Sequence, residues 1–360
     1  MSASAQPSSE SPPGGGRPDP GPAGAATLAK ASAENFPVAP FFLPAAWRDD
    51  LMTVYGFCRL VDDAGDGDLA DPAGTAALLG VPVPSEPSEP SEPSGSAEPS
   101  EPSEDPGLTP SAQSGPPAPD RPSPAGTAFR LALLDGLDRD LDRVFETALD
   151  PARGDAPRHP LLRPLVPLVD RHGLTPEPFR RLIEANRVDQ TTTRYRDYDE
   201  LIAYCTLSAD PVGRLVLALA GFATPERIAM SDDICRALQI VEHLQDVAED
   251  LARGRIYLPA EDLERFGVTE ADLAAPSAGA AVRELIRFEA DRARTLLDRG
   301  APLVGTVRGR LRLLLAGFTA GGYAALAAVE GVGYDVLAQQ AKPDKRRLAA
   351  KAAAIFAKGR

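Results

Sequence analysis

The chain has 360 residues, 38 Lys and Arg against 52 Asp and Glu, and a formal charge of −14, with 43% hydrophobic residues. This is the composition of a globular protein, and the acidic balance argues against a nucleic-acid phosphate backbone as partner, since proteins that bind one carry a basic footprint. Of the 37 prolines, most fall within residues 1–26 and 82–126, where regular structure is excluded, so about 290 residues remain to build a core.

In chain order, residues 1–28 read as a disordered Ser/Pro/Gly-rich tail without a charged-then-apolar leader. The folded body is expected over 29–340. Pro44 opens a first long helix, on which Leu51, Val54, Cys58 and Val61 recur at three- and four-residue steps. Residues 82–126 carry a Ser-Glu-Pro repeat with nothing to bury and read as a low-complexity insertion between helices. Helical periodicity resumes at Leu131, Leu134, Leu137 and Leu141, a helix opens at Asp210-Pro211, and Ile240, Leu244, Val247 and Leu251 mark another that ends before Gly254. Leu313 to Val329 is uncharged but shorter than the roughly 20 residues that span a bilayer, and reads as a buried helix. Residues 341–360 hold seven bases and one acid and predict a basic amphipathic helix with Leu348, Ile355 and Phe356 on one side. Strand-like alternation is scarce. The expectation is an all-α, single-domain bundle of ten or more helices. Cys58, Cys205 and Cys235 lie in apolar segments and read as reduced core residues, which points to a cytosolic protein.

Two acidic pairs carry the chemistry. Asp62 and Asp66 sit four apart, on a stripe with Tyr55 and Arg59; Asp246 and Asp250 repeat the spacing, with Glu242 one turn upstream. Each pair adds like-charge repulsion to an otherwise apolar helix. If the two helices face each other, four or five carboxylates point into one cavity and call for cations. Hard oxygen ligands of this kind suit Mg²⁺ holding a diphosphate, whereas zinc would want thiolates or histidines. Arg59, Arg187, Arg194, Tyr195, Arg255 and Tyr257 are the donors available to a diphosphate.

These residues resemble the squalene/phytoene synthase family, the head-to-head isoprenoid synthases. The resemblance covers residues 30–335 outside the insertion. It rests on Tyr55 to Asp66, on Asp246 to Asp250 followed by Gly254-Arg255-Ile256-Tyr257-Leu258-Pro259, and on Tyr204-Cys205 ahead of Pro211-Val212-Gly213. Glu34 to Ala39 and Ser208 to Leu217 are similar to its hopanoid-pathway branch, the hydroxysqualene synthases.

The resemblance implies that presqualene diphosphate binds through two or three Mg²⁺ held by Asp62, Asp66, Asp246 and Asp250. It also implies that the diphosphate ionises and that the rearranged cation is quenched by water to hydroxysqualene. Asn35, Phe36, Ala209 and Gly213 would line the pocket for the prenyl chain, although close helix packing explains the small residues as well. Where many relatives carry Asn four residues before the second motif, this chain has Glu242, which could ligate Mg²⁺ or orient the quenching water. NADPH is not expected. The alternatives are a synthase condensing two farnesyl or geranylgeranyl diphosphates, and a non-catalytic helical adaptor. Peripheral membrane contact through the basic end stays open, as do partner enzymes that deliver substrate or take product.

Overall fold

The computed structural model describes residues 20–32, 38–84, 123–152, 154–339 and 341–359. Most of the expected tail and of the expected insertion, together with Asn35 and Phe36, lie outside the described residues. The described part of the tail departs from expectation: residues 21–29 form a helix, because Gly24 lets it close on Leu161, with Thr27 buried beneath. Likewise residues 124–126, expected in the insertion, are already the first turn of a helix capped by the Ser123 side chain.

Among the described residues the α-helices are α1 (Gly21–Ala29), α2 (Ala45–Asp66), α3 (Pro72–Leu79), α4 (Pro124–Leu149), α5 (Leu165–His172), α6 (Pro176–Val188), α7 (Tyr198–Ser208) and α8 (Asp210–Leu219). They continue with α9 (Pro225–Gln245), α10 (Val247–Ala252), α11 (Ala260–Phe266), α12 (Glu270–Leu273), α13 (Ala280–Gly300), α14 (Leu303–Thr306), α15 (Gly309–Gly331) and α16 (Lys345–Lys358). No strand occurs among them, only one isolated parallel bridge between Arg194 and Ile256. The fold is the all-α bundle expected.

Two apolar clusters fill it. One is built by α2 to α6, where Phe57 meets Phe179 edge to face at 5.1 Å. The other is built around α9, α13 and α15. Helices α2 and α8 join the two halves: Leu51 of α2 packs against both clusters, and α8 gives Leu215 and Leu219 to the first and Leu217 to the second. Gly213 on α8 shows why the approach to α9 is close, since a Cβ there would stand 2.3 Å from the Ser231 hydroxyl and 2.6 Å from the Cys235 sulfur. All three cysteines are free.

The uncharged run Leu313–Val329 falls inside α15, whose apolar stretch is 61% buried in the protein. Helix α16 docks on α15 through Ile355, and the Lys351 ammonium lies 4.1 Å from the Tyr323 ring centre. Phe356, expected to share the packed side with Leu348 and Ile355, instead turns outward and is 39% exposed, because it lies about 100° from Ile355 around the helix.

Candidate active site

The first acidic pair occupies the last turn of α2, which Gly67 terminates at φ 82°. Carboxylates at a helix C-terminus oppose the helix dipole as well as each other. Asn186 of α6 donates to Asp62 Oδ1 at 3.0 Å, and it can come this close because residue 65 is glycine: a Cβ there would stand 2.1 Å from the Asn186 side-chain oxygen. The Gly65 carbonyl accepts from Gln190 at 2.9 Å and from Arg130 at 3.4 Å, so α4, α6 and the turn after α6 all fasten the end of α2. Burial pushes Asp62 up to about 6; the Asn186 hydrogen bond opposes the rise, and the Asp66 charge adds to it.

The second pair is not carried by one unbroken helix. Helix α9 stops at Gln245, Asp246 sits at the junction with φ −108° and ψ 13°, and α10 starts at Val247. Asp250 N–H still donates to the Asp246 carbonyl at 2.8 Å, which preserves the one-turn offset across the break. Burial also raises Asp250, to about 7, with the Asp246 charge adding, Arg255 and Arg253 opposing, and Glu242 contributing a smaller rise. Asp246 is shifted upward too, mainly by burial. Glu242 is exposed on α9.

Arg255 joins the two motifs. Its backbone N–H donates to the Asp250 carbonyl at 2.8 Å, and its guanidinium donates to Asp66 Oδ1 at 3.3 Å. Sequence spacing placed only carboxylates between the two helices; the structure sets a guanidinium there as well. The segment carrying Arg255 runs parallel to the one carrying Arg194: Ile256 N–H donates to the Thr193 carbonyl, Ala260 N–H to that of Tyr195 and Glu261 N–H to that of Arg196. This pairing stacks Tyr195 on Tyr257, 5.7 Å between ring centres, and His243 lies flat against Tyr257 at 3.8 Å. Asp189 anchors the cluster, accepting from the Tyr204 hydroxyl at 2.7 Å and the Tyr257 hydroxyl at 3.2 Å. Burial lifts Asp189 to about 6, with Arg255 and Tyr204 opposing, and burial pushes His243 down to about 3, so His243 is a neutral ring in an aromatic stack.

A cleft of about 380 Å³ opens at the end of α2, lined in part by Asp66, Arg130, Asp189, Gln190, Arg253 and Arg255. Of the expected donors, Arg255 alone lines it. Arg187 is committed to Asp135 and Asp138 of α4, at 2.8 and 3.0 Å, because α6 packs on that helix. Arg194 binds Glu270 and the Gly254 carbonyl, bracing the loop behind Arg255. Arg59 pairs with Asp63 at 2.8 Å, the residue one turn ahead of it, and Lys30 reaches the same carboxylate. Tyr257 spends its hydroxyl on Asp189, while Tyr195 is buried with no partner for its hydroxyl among the described residues. Tyr55 is half-buried two turns upstream of Asp62. Ala209 is buried at the break between α7 and α8, and Gly213 faces Ser231 and Cys235, so both serve helix packing here.

Sequence reasoning passed over Asn186, Asp189, Gln190, Arg130 and Arg253. Asp189 and Gln190 stand just beyond α6, where no periodicity signals them.

Among the described residues no three His, Cys, Asp or Glu side chains stand close enough to hold an ion between them. Mg²⁺ characteristically takes only one or two carboxylates and completes its shell with water and phosphate oxygens. The hard oxygens of Asp62, Asp66, Asp246 and Asp250 suit that chemistry, and the upward shifts of Asp62 and Asp250 are those of carboxylates that a cation would relieve.

Comparison with known proteins follows the same lines. The sequence model of the squalene/phytoene synthase family matches residues 29–81 and 117–347. The hydroxysqualene synthase of Zymomonas mobilis is 30% identical over 270 residues, covering 74% of this chain and 69% of that protein. A phytoene synthase of Arthrospira platensis is 36% identical over 196 residues, 49% of this chain, and the chain spans only 60% of its length. The crystal structure of squalene synthase HpnC from Alicyclobacillus acidocaldarius superposes with a TM-score of 0.62 at 35% identity, covering 86% of this chain and 94% of that one. Family match, fold and the two acidic motifs agree: the chain belongs to the squalene/phytoene synthase family, the isoprenoid synthases.

Proposed function

We propose that this isoprenoid synthase converts presqualene diphosphate to hydroxysqualene. The observation that carries the reading is the Arg255 bridge, which ties Asp66 through its guanidinium and the Asp250 carbonyl through its peptide N–H, beside a cleft also lined by Arg130 and Arg253. Similarity to a hydroxysqualene synthase supports the choice of substrate.

Mg²⁺ held by Asp62, Asp66, Asp246 and Asp250, with Glu242 as a further candidate ligand, would neutralise the diphosphate. Arg255 binds and orients that group, and its guanidinium stabilises the negative charge that grows on the departing oxygen as the C–O bond breaks. Tyr195, Tyr204 and Tyr257 form a buried aromatic cluster behind Asp189, which holds that carboxylate at the cleft. Water adds to the rearranged cation and loses a proton, giving the alcohol. The described cluster places no free hydroxyl donor toward the diphosphate from Tyr257, since Asp189 holds it. A cytosolic location with membrane-peripheral contact fits a substrate with a charged diphosphate head and a largely apolar alcohol product.

The test is product identity. Purified protein given presqualene diphosphate and Mg²⁺ should yield hydroxysqualene without NADPH, and Asp62→Ala and Asp246→Ala should each abolish turnover with helicity intact. The similarity to a phytoene synthase favours a second reading, condensation of two prenyl diphosphates. Accumulation of presqualene diphosphate from farnesyl diphosphate, or of phytoene from geranylgeranyl diphosphate, would establish that reading instead.

A further inference from the structure

We propose that Lys30 is a positioning residue: by holding Asp63 it lets Arg59 leave that carboxylate and bind the diphosphate at Asp62. The inference rests on the proposed function only in needing a diphosphate at the acidic motifs, whichever prenyl chain it carries.

Asp63 stands between Asp62 and Asp66 in the chain, yet it is spent on a different contact. It lies about 100° around α2 from Asp62, and 2% of its side chain is exposed. Arg59 Nε lies 2.8 Å from Asp63 Oδ1, and Lys30 Nζ, at the end of α1, donates to the same oxygen at 2.8 Å. One carboxylate oxygen therefore meets two cations.

The docking of α1 does not account for the second cation. Lys30 is the only charged residue of 20–32. The helix is seated by small and apolar groups: a Cβ on Gly56 would stand 3.0 Å from the Leu28 side chain, and Gly24 closes on Leu161. An otherwise uncharged helix thus brings a single ammonium to a carboxylate that Arg59 already neutralises.

The excess has a use. A buried carboxylate cannot give up its only cation without being left uncompensated, which is strongly unfavourable. With Arg59 alone, Asp63 would hold the guanidinium against a competing anion; with Lys30 in place, one cation stays as the other goes. Position decides which one goes. Arg59 stands one turn before Asp62 on the same stripe of α2, and its charge already acts on the Asp62 carboxylate. Its planar fork also matches two phosphate oxygens, whereas a compact ammonium suits a single carboxylate oxygen. The exchange moves no proton and breaks no covalent bond.

The experiment is calorimetric titration of the full chain with inorganic diphosphate in the presence of Mg²⁺. Lys30→Met should weaken binding by about tenfold, the size of one charge-assisted contact, and Lys30→Arg should keep most of it. In Lys30→Met with Asp63→Asn no carboxylate remains to retain Arg59, so binding should return to within about threefold of the parent. A Lys30→Met protein that binds as the parent does would overturn the proposal. So would a double variant as weak as Lys30→Met alone, or a loss of helicity by circular dichroism in Lys30→Met, since either would make Lys30 a structural support of α1. A parent that binds diphosphate but forms no hydroxysqualene would overturn the proposed function and leave this exchange standing; a parent that binds no diphosphate would overturn both.

Discussion

The Arg255 guanidinium donates to Asp66 at 3.3 Å while its own peptide N–H is held by the Asp250 carbonyl at 2.8 Å. One residue therefore sets the spacing between motifs that lie nearly two hundred positions apart. Arg255→Ala should lower kcat/KM by about a hundredfold, near 3 kcal/mol of transition-state stabilisation. Arg255→Lys should recover only part, since an ammonium keeps the charge and loses the fork. Steady-state kinetics alongside far-UV circular dichroism would check this; a loss of helicity matching the loss of rate would reject a direct role.

The close approach at Gly65 gives a steric prediction. In Gly65→Ala the new methyl would stand 2.1 Å from the Asn186 side-chain oxygen, so α2 and α6 must part or Asn186 must leave Asp62. Thermal unfolding should show about 1–3 kcal/mol of destabilisation. Asn186→Ala should impair turnover with a smaller change in stability, and a Gly65→Ala protein with the parent's midpoint would contradict the packing described.

Asp189 tests the polar anchor of the aromatic cluster. Tyr204→Phe removes a buried donor and leaves one carboxylate oxygen without it, a loss of about 1–3 kcal/mol in denaturant unfolding. In a double-mutant cycle with Asp189→Asn the two effects should fail to add, because both act through the same bond. Strict additivity would mean that the bond contributes nothing in solution.

Away from the cleft, Glu289 of α13 is buried with Asp262 of α11, both beside Arg292. Burial holds the Glu289 carboxyl well above the ordinary glutamate range, with Arg292 opposing and Asp262 adding, and its second oxygen has no partner among the described residues. The native state therefore retains a proton that the unfolded chain releases near 4.5. Stability from this site is full below that pH and is lost as pH rises through the raised native value. Glu289→Gln, which mimics the protonated form, should match the parent at about pH 4.5 and exceed it at about pH 9. Parallel stability curves for the two proteins across that range would exclude the shift.

Much of this was legible in the chain itself, for identifiable reasons. Asp62, Asp66, Asp246 and Asp250 stand out because carboxylates four apart are costly on an apolar helix, and the bundle follows from three- and four-residue periodicity. The break at Asp246 was not legible: Ile240 to Leu251 keep helical spacing straight through it, and only the φ of Asp246 shows the joint. Nor were Asp189 and Arg130, whose roles arise from contacts with Tyr204, Tyr257 and Gly65 far off in the chain. Arg187 and Arg194 misled for the converse reason, since their acidic partners, Asp135, Asp138 and Glu270, sit in other helices.

The parallel pairing of residues 193–196 with 256–261 carries a lesson about length. Tyr195, Arg255 and Tyr257 are indexed to one another by backbone bonds, so removing a single residue from either segment would slide the whole register and turn rings and guanidinium to the wrong sides together. Three backbone bonds hold the segments, and each fixes how many residues can stand between it and the next.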